Sequence, residues 1–352
     1  MLNKMMFQED IPLKAFNTFG IDVMARYFAS FNNIGSLQEM LQAYRHVKTG
    51  SNHLLLVLGG GSNILFTKDV DGLVLKNEIS GIEKAGEDDD FVYLKAGAGE
   101  NWHQFVLYCL EHDYAGVENL ALIPGSVGAS PMQNIGAYGI EIKDVFHSLE
   151  AYEISTGNMV TFSKSDCAFG YRESVFKNKC KGEYIITSVT YRLNKIPVYN
   201  TSYGAIEAEL NKYNISSVSI QSIARAVINI RSSKLPDPAV IGNAGSFFKN
   251  PEISESRFEV LKKRFPGIVG YQIGNGMVKL AAGWLIEQCG PVAGKSWKGY
   301  RNGDAGCHEK QALVLVNYGK ATGTDIFNLS TAILESVFDK FSVKLEREVN
   351  VF

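Results

Sequence analysis

Three glycine-rich runs near the front of the chain limit what it can fold into. They are Gly59-Gly60-Gly61-Ser62-Asn63, Gly97-Ala98-Gly99-Glu100-Asn101 and Pro124-Gly125-Ser126-Val127-Gly128-Ala129-Ser130. The last runs on to Gly136-Ala137-Tyr138-Gly139. Glycine lets backbone N–H groups approach phosphate oxygens with no side chain in the way. None of the runs ends in the Gly-Lys-Ser/Thr of a Walker A loop. None completes Gly-x-Gly-x-x-Gly at a strand–helix junction, since Ile64 follows the first and Trp102 the second, so an ordinary Rossmann domain is disfavoured. One such loop would mean little. Three, with Ser126, Ser130, Gln133 and Asn134 offering hydrogen-bond partners, favour a dinucleotide such as FAD held by several loops.

The elements around these loops mix helix and strand. Ser36-Leu37-Gln38-Glu39 has the capping-box pattern, and the apolar spacing after it predicts a helix over about 36–48. Leu54-Leu55-Leu56-Val57-Leu58 reads as a buried strand stopped by the first glycine run. Short strands follow at 72–76 and 91–96, then a helix at about 102–112. Strand-like stretches near 145–154 and 183–193 enclose a loop. Helical spacing returns at about 220–230, 255–264, 281–288 and 325–341. The alternating segment 343–351 reads as a strand with Val343, Leu345, Val349 and Val351 on one face and Glu346 and Glu348 on the other. The interleaving favours α+β. Ser232-Ser233-Lys234-Leu235-Pro236-Asp237-Pro238 is the best boundary.

Ser246 carries the strongest chemical signal. It lies in Gly242-Asn243-Ala244-Gly245-Ser246-Phe247-Phe248-Lys249-Asn250-Pro251, where Gly245 permits close approach to a ligand. No His stands nearby to serve as a triad base, which weighs against nucleophilic hydrolysis and leaves proton donation open. Taken alone, the run is also compatible with an ordinary tight turn.

Composition narrows the classes. A chain of 352 residues, 45% hydrophobic and 20% charged, has the make-up of a soluble globular protein with room for two or three domains. A formal charge of -2 argues against nucleic-acid binding, and no apolar run would span a membrane. Five scattered cysteines and six dispersed histidines suggest neither disulfides nor a metal site. His308 reads as a packing or surface residue. With no signal-peptide pattern at the N-terminus, the expectation is a cytoplasmic monomer.

Several long motifs occur in fixed order: Asn17-Thr18-Phe19-Gly20, the three glycine runs, Gln133-Asn134-Ile135-Gly136-Ala137-Tyr138-Gly139, Phe169-Gly170-Tyr171-Arg172, the Ser246 run and Glu346-Arg347-Glu348-Val349. In these the chain closely resembles the UDP-N-acetylenolpyruvoylglucosamine reductase family, in its longer (type I) form, over residues 12 to 351. The resemblance implies a two-part FAD-binding region of the vanillyl-alcohol-oxidase (PCMH) type plus an α+β substrate-binding domain. The expected boundaries are 1–80 and 81–230 for the FAD-binding subdomains, 231–335 for the substrate domain, and 336–352 for the strand carrying Glu348.

It also implies a reaction. NADPH reduces non-covalently bound FAD and leaves. The enolpyruvyl ether of UDP-N-acetylglucosamine then accepts hydride at its methylene carbon and a proton at the carbon bearing the carboxylate, giving UDP-N-acetylmuramate. Arg172, Ser246 and Glu348 would be catalytic: Arg172 as cation for the enolate charge, Ser246 as general acid, and Glu348 as donor or as the group positioning Arg172. Glu346 is the competitor for the last role. Cofactor contacts fall on Gly60, Gly61, Ser62, Asn63, Ile64, Pro124, Gly125, Ser126, Gly128, Ala129, Ser130, Gln133, Asn134, Gly136, Arg172 and Arg231. Substrate contacts fall on Tyr203, Lys234, Asn250, Tyr271 and Gln311, with Tyr271 on an extra loop around 266–278 that closes over the substrate. The competing reading is another FAD oxidase or dehydrogenase of this fold, acting on a hydroxy acid. Such enzymes often tether flavin through His or Cys, and neither occurs in 59–63 or 124–139.

Overall fold

The computed structural model describes residues 6–47, 54–213, 215 and 217–352. These divide into two compact units. The first comprises residues up to Ile11, Met24–Gly61 and Val70–Ser233; the second comprises Pro12–Val23, Ser62–Asp69 and Lys234–Phe352.

In the first unit the strands Met24–Phe31, Val70–Asn77 and Leu54–Leu58 form a parallel set with Val70–Asn77 in the middle, and Gln8–Pro12 at one edge. The crossover helix Ile34–Val47 buries Leu37, Leu41 and Tyr44 with Phe31, Leu73 and Leu75. This helix begins earlier than its capping-box pattern predicts. Asn33 is the true cap: its Oδ1 accepts the Ser36 N–H at 2.8 Å, while the Ser36 hydroxyl donates to the Asn33 carbonyl at 2.9 Å. The expected end at Lys48 lies outside the described residues.

A five-stranded antiparallel sheet follows, ordered Met159–Ser163, Phe146–Glu153, Tyr184–Asn194, Phe91–Gly97, Ile82–Glu87. Helices Trp102–Glu111 and Ile220–Lys234 contribute Trp102, Phe105, Ile223 and Val227 to the core it shares with Leu94, Val189 and Tyr191. Met159–Ser163 corrects the expected loop between the two long strands. It pairs with Phe146–Glu153 but buries only Phe162, so its apolar signal is weak. Ile220–Lys234 continues through Ser232 and Ser233 into the segment that reads as a linker.

The second unit holds the four-stranded sheet Gly242–Ser246, Val314–Asn317, Ala305–Cys307, Arg301–Asn302 and the three-stranded sheet Glu252–Ser254, Met277–Leu280, Gly270–Gly274. The long helix Gly323–Phe341 is capped by Thr322 and Asp325, each side chain bonding the other's backbone N–H. The C-terminal segment is not the continuous strand its alternation suggests. Only Asn350–Val351 is strand, parallel to Ile64–Leu65. That switch of partner leaves Val351 exposed, although Val343, Leu345 and Val349 are buried as expected.

Asn17 organises the start of this unit. Its Nδ2 donates to the carbonyls of Leu13 (2.8 Å) and Ile21 (3.0 Å), and its Oδ1 accepts the Ile21 N–H (2.9 Å). The loop so folded presents Thr18 O to the Asn243 N–H (3.0 Å) and Phe19 O to Asn317 Nδ2 (2.9 Å). Among the described residues no helix is long and apolar enough to cross a membrane. Replacing Asn17 by Ala strands the two buried backbone groups of Ile21 and removes one of two bonds to the Leu13 carbonyl, so the variant should lose about 2–4 kcal/mol of stability in urea unfolding. A loss below about 0.5 kcal/mol would show that the loop holds itself.

Candidate active site

In the first unit the glycine runs interlock through their backbones. Trp102 N–H donates to Gly125 O (3.0 Å), Val127 N–H to Glu100 O (2.8 Å) and Gly128 N–H to Ala98 O (2.9 Å). A Cβ on Gly60 would stand 2.8 Å from Gly125 Cα, so these two loops meet with no room for a side chain. Beneath them Lys76 donates to the Gly59 carbonyl, its ammonium pKa lowered by burial. Ser130 and Asn134 are committed within the fold. The Ser130 hydroxyl is 2.7 Å from the Tyr191 hydroxyl. The Asn134 amide bonds Glu141 Oε2 and Gly170 O, both at 3.0 Å, and accepts the Lys143 N–H at 2.9 Å.

Two guanidiniums gather beside the third run. Arg172, at φ 55, donates from Nη2 to Gly136 O (2.5 Å) and from Nη1 to Asn134 O (3.5 Å). Arg231 projects from the Ile220–Lys234 helix, donates from Nε to Leu122 O (3.2 Å) and bonds the Tyr138 hydroxyl. Burial lowers the Arg231 pKa, Tyr138 opposes that shift, and the Arg172 charge adds to it. Among the described residues Arg231 has no carboxylate partner. A partly buried, unneutralised cation is costly, so the place suits an anionic or electron-rich ligand. This charge and the side-chain-free loops fit a cofactor such as FAD.

Tyr138 is missing from the sequence-derived set. It occupies the Gly136–Glu141 hairpin turn, where Tyr138 (φ 50) and Gly139 (φ 84) are both left-handed. A bulky aromatic at a position that favours Asn or Gly is the signal that could have found it. Its ring lies edge-on to Tyr203, centroids 5.3 Å apart.

In the second unit backbone pairing brings Ser246 and Glu348 onto adjacent segments. Asn243 Oδ1 accepts the Gly245 N–H (2.9 Å), and Gly245 takes φ 68, a left-handed conformation that turns the chain into Ser246. Phe247 N–H then donates to Leu313 O (2.7 Å), while the fully buried rings of Phe247 and Phe248 anchor the run. Glu348 N–H donates to Phe247 O (2.8 Å), and Lys249 N–H to Glu346 O (2.9 Å). Ser246 is exposed and Glu348 half-buried. Glu346 is exposed, its carboxylate 3.4 Å from Lys249 Nζ. Arg347, between the two glutamates, reaches Ser330 Oγ (2.7 Å) and Thr331 Oγ1 (2.6 Å) on the long helix, which fixes the segment. Asn63 Nδ2 donates to Glu348 O (3.4 Å), and Asn63 O accepts the Asn350 N–H (3.2 Å), so Ser62-Asn63-Ile64 runs alongside it.

Of the expected substrate residues, Asn250 Oδ1 accepts the Ala282 N–H (2.9 Å), and Gln311 Oε1 accepts the Leu313 N–H (3.3 Å). Lys234 is exposed at its helix end. The segment 266–278 is largely hairpin, not open loop: Gly270–Gly274 pairs with Met277–Leu280, with Tyr271 exposed opposite Lys279. His308 is buried with its pKa lowered by desolvation, and its Nδ1 accepts the Lys310 N–H at 3.4 Å. All five cysteines are free, and among the described residues no cluster could hold a metal.

Residues 31–163 match the FAD binding domain family, and residues 237–352 match the C-terminal domain of UDP-N-acetylenolpyruvoylglucosamine reductase. The class is therefore that of FAD-dependent oxidoreductases built from an FAD-binding domain and a distinct C-terminal domain. The chain is 53% identical to the UDP-N-acetylenolpyruvoylglucosamine reductase of Amoebophilus asiaticus, over 98% of each chain. It is 50% identical to that of Flavobacterium johnsoniae, over 99% of this chain and 100% of the other. The chain belongs to the UDP-N-acetylenolpyruvoylglucosamine reductase family. It shares its fold with the Thermus caldophilus reductase at a TM-score of 0.67 and 23% identity, over 98% of this chain and 99% of that one.

Gly60→Ala tests the loop contact. Forcing the Gly60 and Gly125 backbones apart costs about 1–3 kcal/mol, which should weaken FAD binding roughly tenfold to a hundredfold while the circular dichroism stays native. Unchanged FAD affinity in a flavin titration would show that the two loops do not hold the cofactor together.

Proposed function

We propose that this chain reduces the enolpyruvyl ether of UDP-N-acetylglucosamine to UDP-N-acetylmuramate, with NADPH as electron source and non-covalent FAD as cofactor. The observation that carries this reading is the pairing of the Ser246 and Glu348 segments. Gly60, Gly61, Gly125 and Arg231 would hold the FAD, which would supply the hydride-transfer chemistry between NADPH and the vinylic methylene carbon.

The chain's own residues manage charge and the proton. Hydride addition to an enol ether places negative charge on the carbon bearing the carboxylate and spreads it into that carboxylate. Arg172, oriented by the Gly136 carbonyl, binds the carboxylate as a forked donor. Ser246 gives its hydroxyl proton to the carbon and regains one from solvent, to which it is open. Glu348 steadies the same group as donor or by positioning Arg172. Arg231 balances charge on the cofactor. Tyr203, Lys234, Asn250, Tyr271 and Gln311 hold the nucleotide sugar.

In this reading 1–80 and 81–230 form the cofactor side and 231–335 the substrate side, with 336–352 returning Glu348. The protein works as a cytoplasmic monomer on free small molecules.

The test is anaerobic. One equivalent of NADPH should bleach the flavin band, and the enolpyruvyl UDP-sugar should restore it rapidly. A flavin that bleaches and stays reduced would overturn the substrate assignment.

A further inference from the structure

Asn119 takes no part in the chemistry above, yet it is buried to 1% exposure in the short 3-10 turn Glu118–Leu120. Its Nδ2 donates to two carbonyls from distant parts of the first unit: Tyr138 O at 3.0 Å and Asn200 O at 2.9 Å. Its Oδ1 is a buried acceptor with no partner among the described residues. An orphan acceptor of this kind is normally costly. The fold tolerates it because a neutral amide nitrogen offers two donors at one point, which a hydroxyl cannot.

The two carbonyls identify what is being held. Tyr138 is the hairpin-turn residue that bonds Arg231. Asn200 belongs to an outlying strap in which Ile196, Val198 and Tyr199 are exposed, leading to Ser202 and Tyr203. A second set of bonds continues the link: Asn200 Nδ2 donates to Gly139 O (3.3 Å), and Ser202 Oγ to Asn200 Oδ1 (2.9 Å). At the end of this chain the Tyr203 ring rests edge-on against Tyr138, planes at 82°. The strap buries few apolar side chains of its own, so polar ties of this kind fix where Tyr203 stands.

We propose that Asn119 is a positioning residue for Tyr203, clamping the Tyr138 turn and the 196–203 strap in one register so that the tyrosine meets the nucleotide sugar preorganised. The inference rests on the reading that Tyr203 contacts that substrate. Asn119→Leu removes both donors at similar volume. It should raise KM for the enolpyruvyl sugar about tenfold while leaving the rate of flavin reduction by NADPH unchanged, as expected when substrate binding alone is lost. Combined with Tyr203→Ala it should add little beyond the single tyrosine variant, because both remove one interaction. Additive effects, or equal loss of both half-reactions, would overturn the proposal.

Should Asn119→Leu fail to fold, Asn119→Asp is the isosteric replacement that loses the same donors. Amide hydrogen exchange separates this proposal from the functional reading. Protection of 196–203 should fall in either variant even if the wild-type protein never turns over the sugar. Unchanged protection there would overturn the clamp, whereas an inactive wild type with a weakened strap would overturn only the function.

Discussion

The hydrogen bond from the Glu348 amide to the Phe247 carbonyl, 2.8 Å long, fixes the C-terminal segment of the second unit against the Ser246 run. It joins residues about a hundred positions apart and sets the segments that carry Ser246 and Glu348 side by side. The support below is layered. Phe247 and Phe248 are fully buried, and Phe247 packs edge-on against Phe19 at 6.1 Å. Phe19 belongs to the loop that Asn17 folds, and that loop accepts bonds from Asn243 and Asn317 on the strands beside Ser246. Behind Glu348, Arg347 is stacked over Phe327 at 4.4 Å and bonded to two hydroxyls. These contacts hold the Ser246 and Glu348 segments in one register.

The first unit is governed by charge. Arg231 is held by a carbonyl and a phenol, with Arg172 as a like-charged neighbour. Backbone carbonyls orient a guanidinium without neutralising it, so the positive potential persists until an anion or electron-rich group arrives. Glycine loops that exclude side chains lie in the same unit, and the two features suit one ligand.

Much of this was legible in the sequence because the signals are local. Leu54–Leu58 and Glu255–Arg264 fall where their apolar runs and helical periods end. Ser246 was found because small residues flank it. What was not legible depends on partners remote in sequence. The alternation of 343–351 cannot show that the chain leaves the Phe247–Lys249 segment and joins Ile64–Leu65. Asn17-Thr18-Phe19-Gly20 stood out as a motif, but its role beneath the Ser246 strand needs Asn243 and Asn317. Pro12–Val23 and Ser62–Asp69 belong to the second unit, which no composition change announces. Ser130 and Asn134 look like ligand-facing polar groups, and only Tyr191, Glu141 and Gly170 reveal how the fold uses them.

The most direct test of the central claim is single-turnover kinetics of Ser246→Ala, with the two half-reactions followed separately. Flavin reduction by NADPH should stay within about twofold of wild type, while reoxidation by the enolpyruvyl sugar slows roughly a hundredfold to ten-thousandfold, the range a general acid supplies. Equal loss in both half-reactions, or normal reoxidation, would contradict Ser246 as the proton donor.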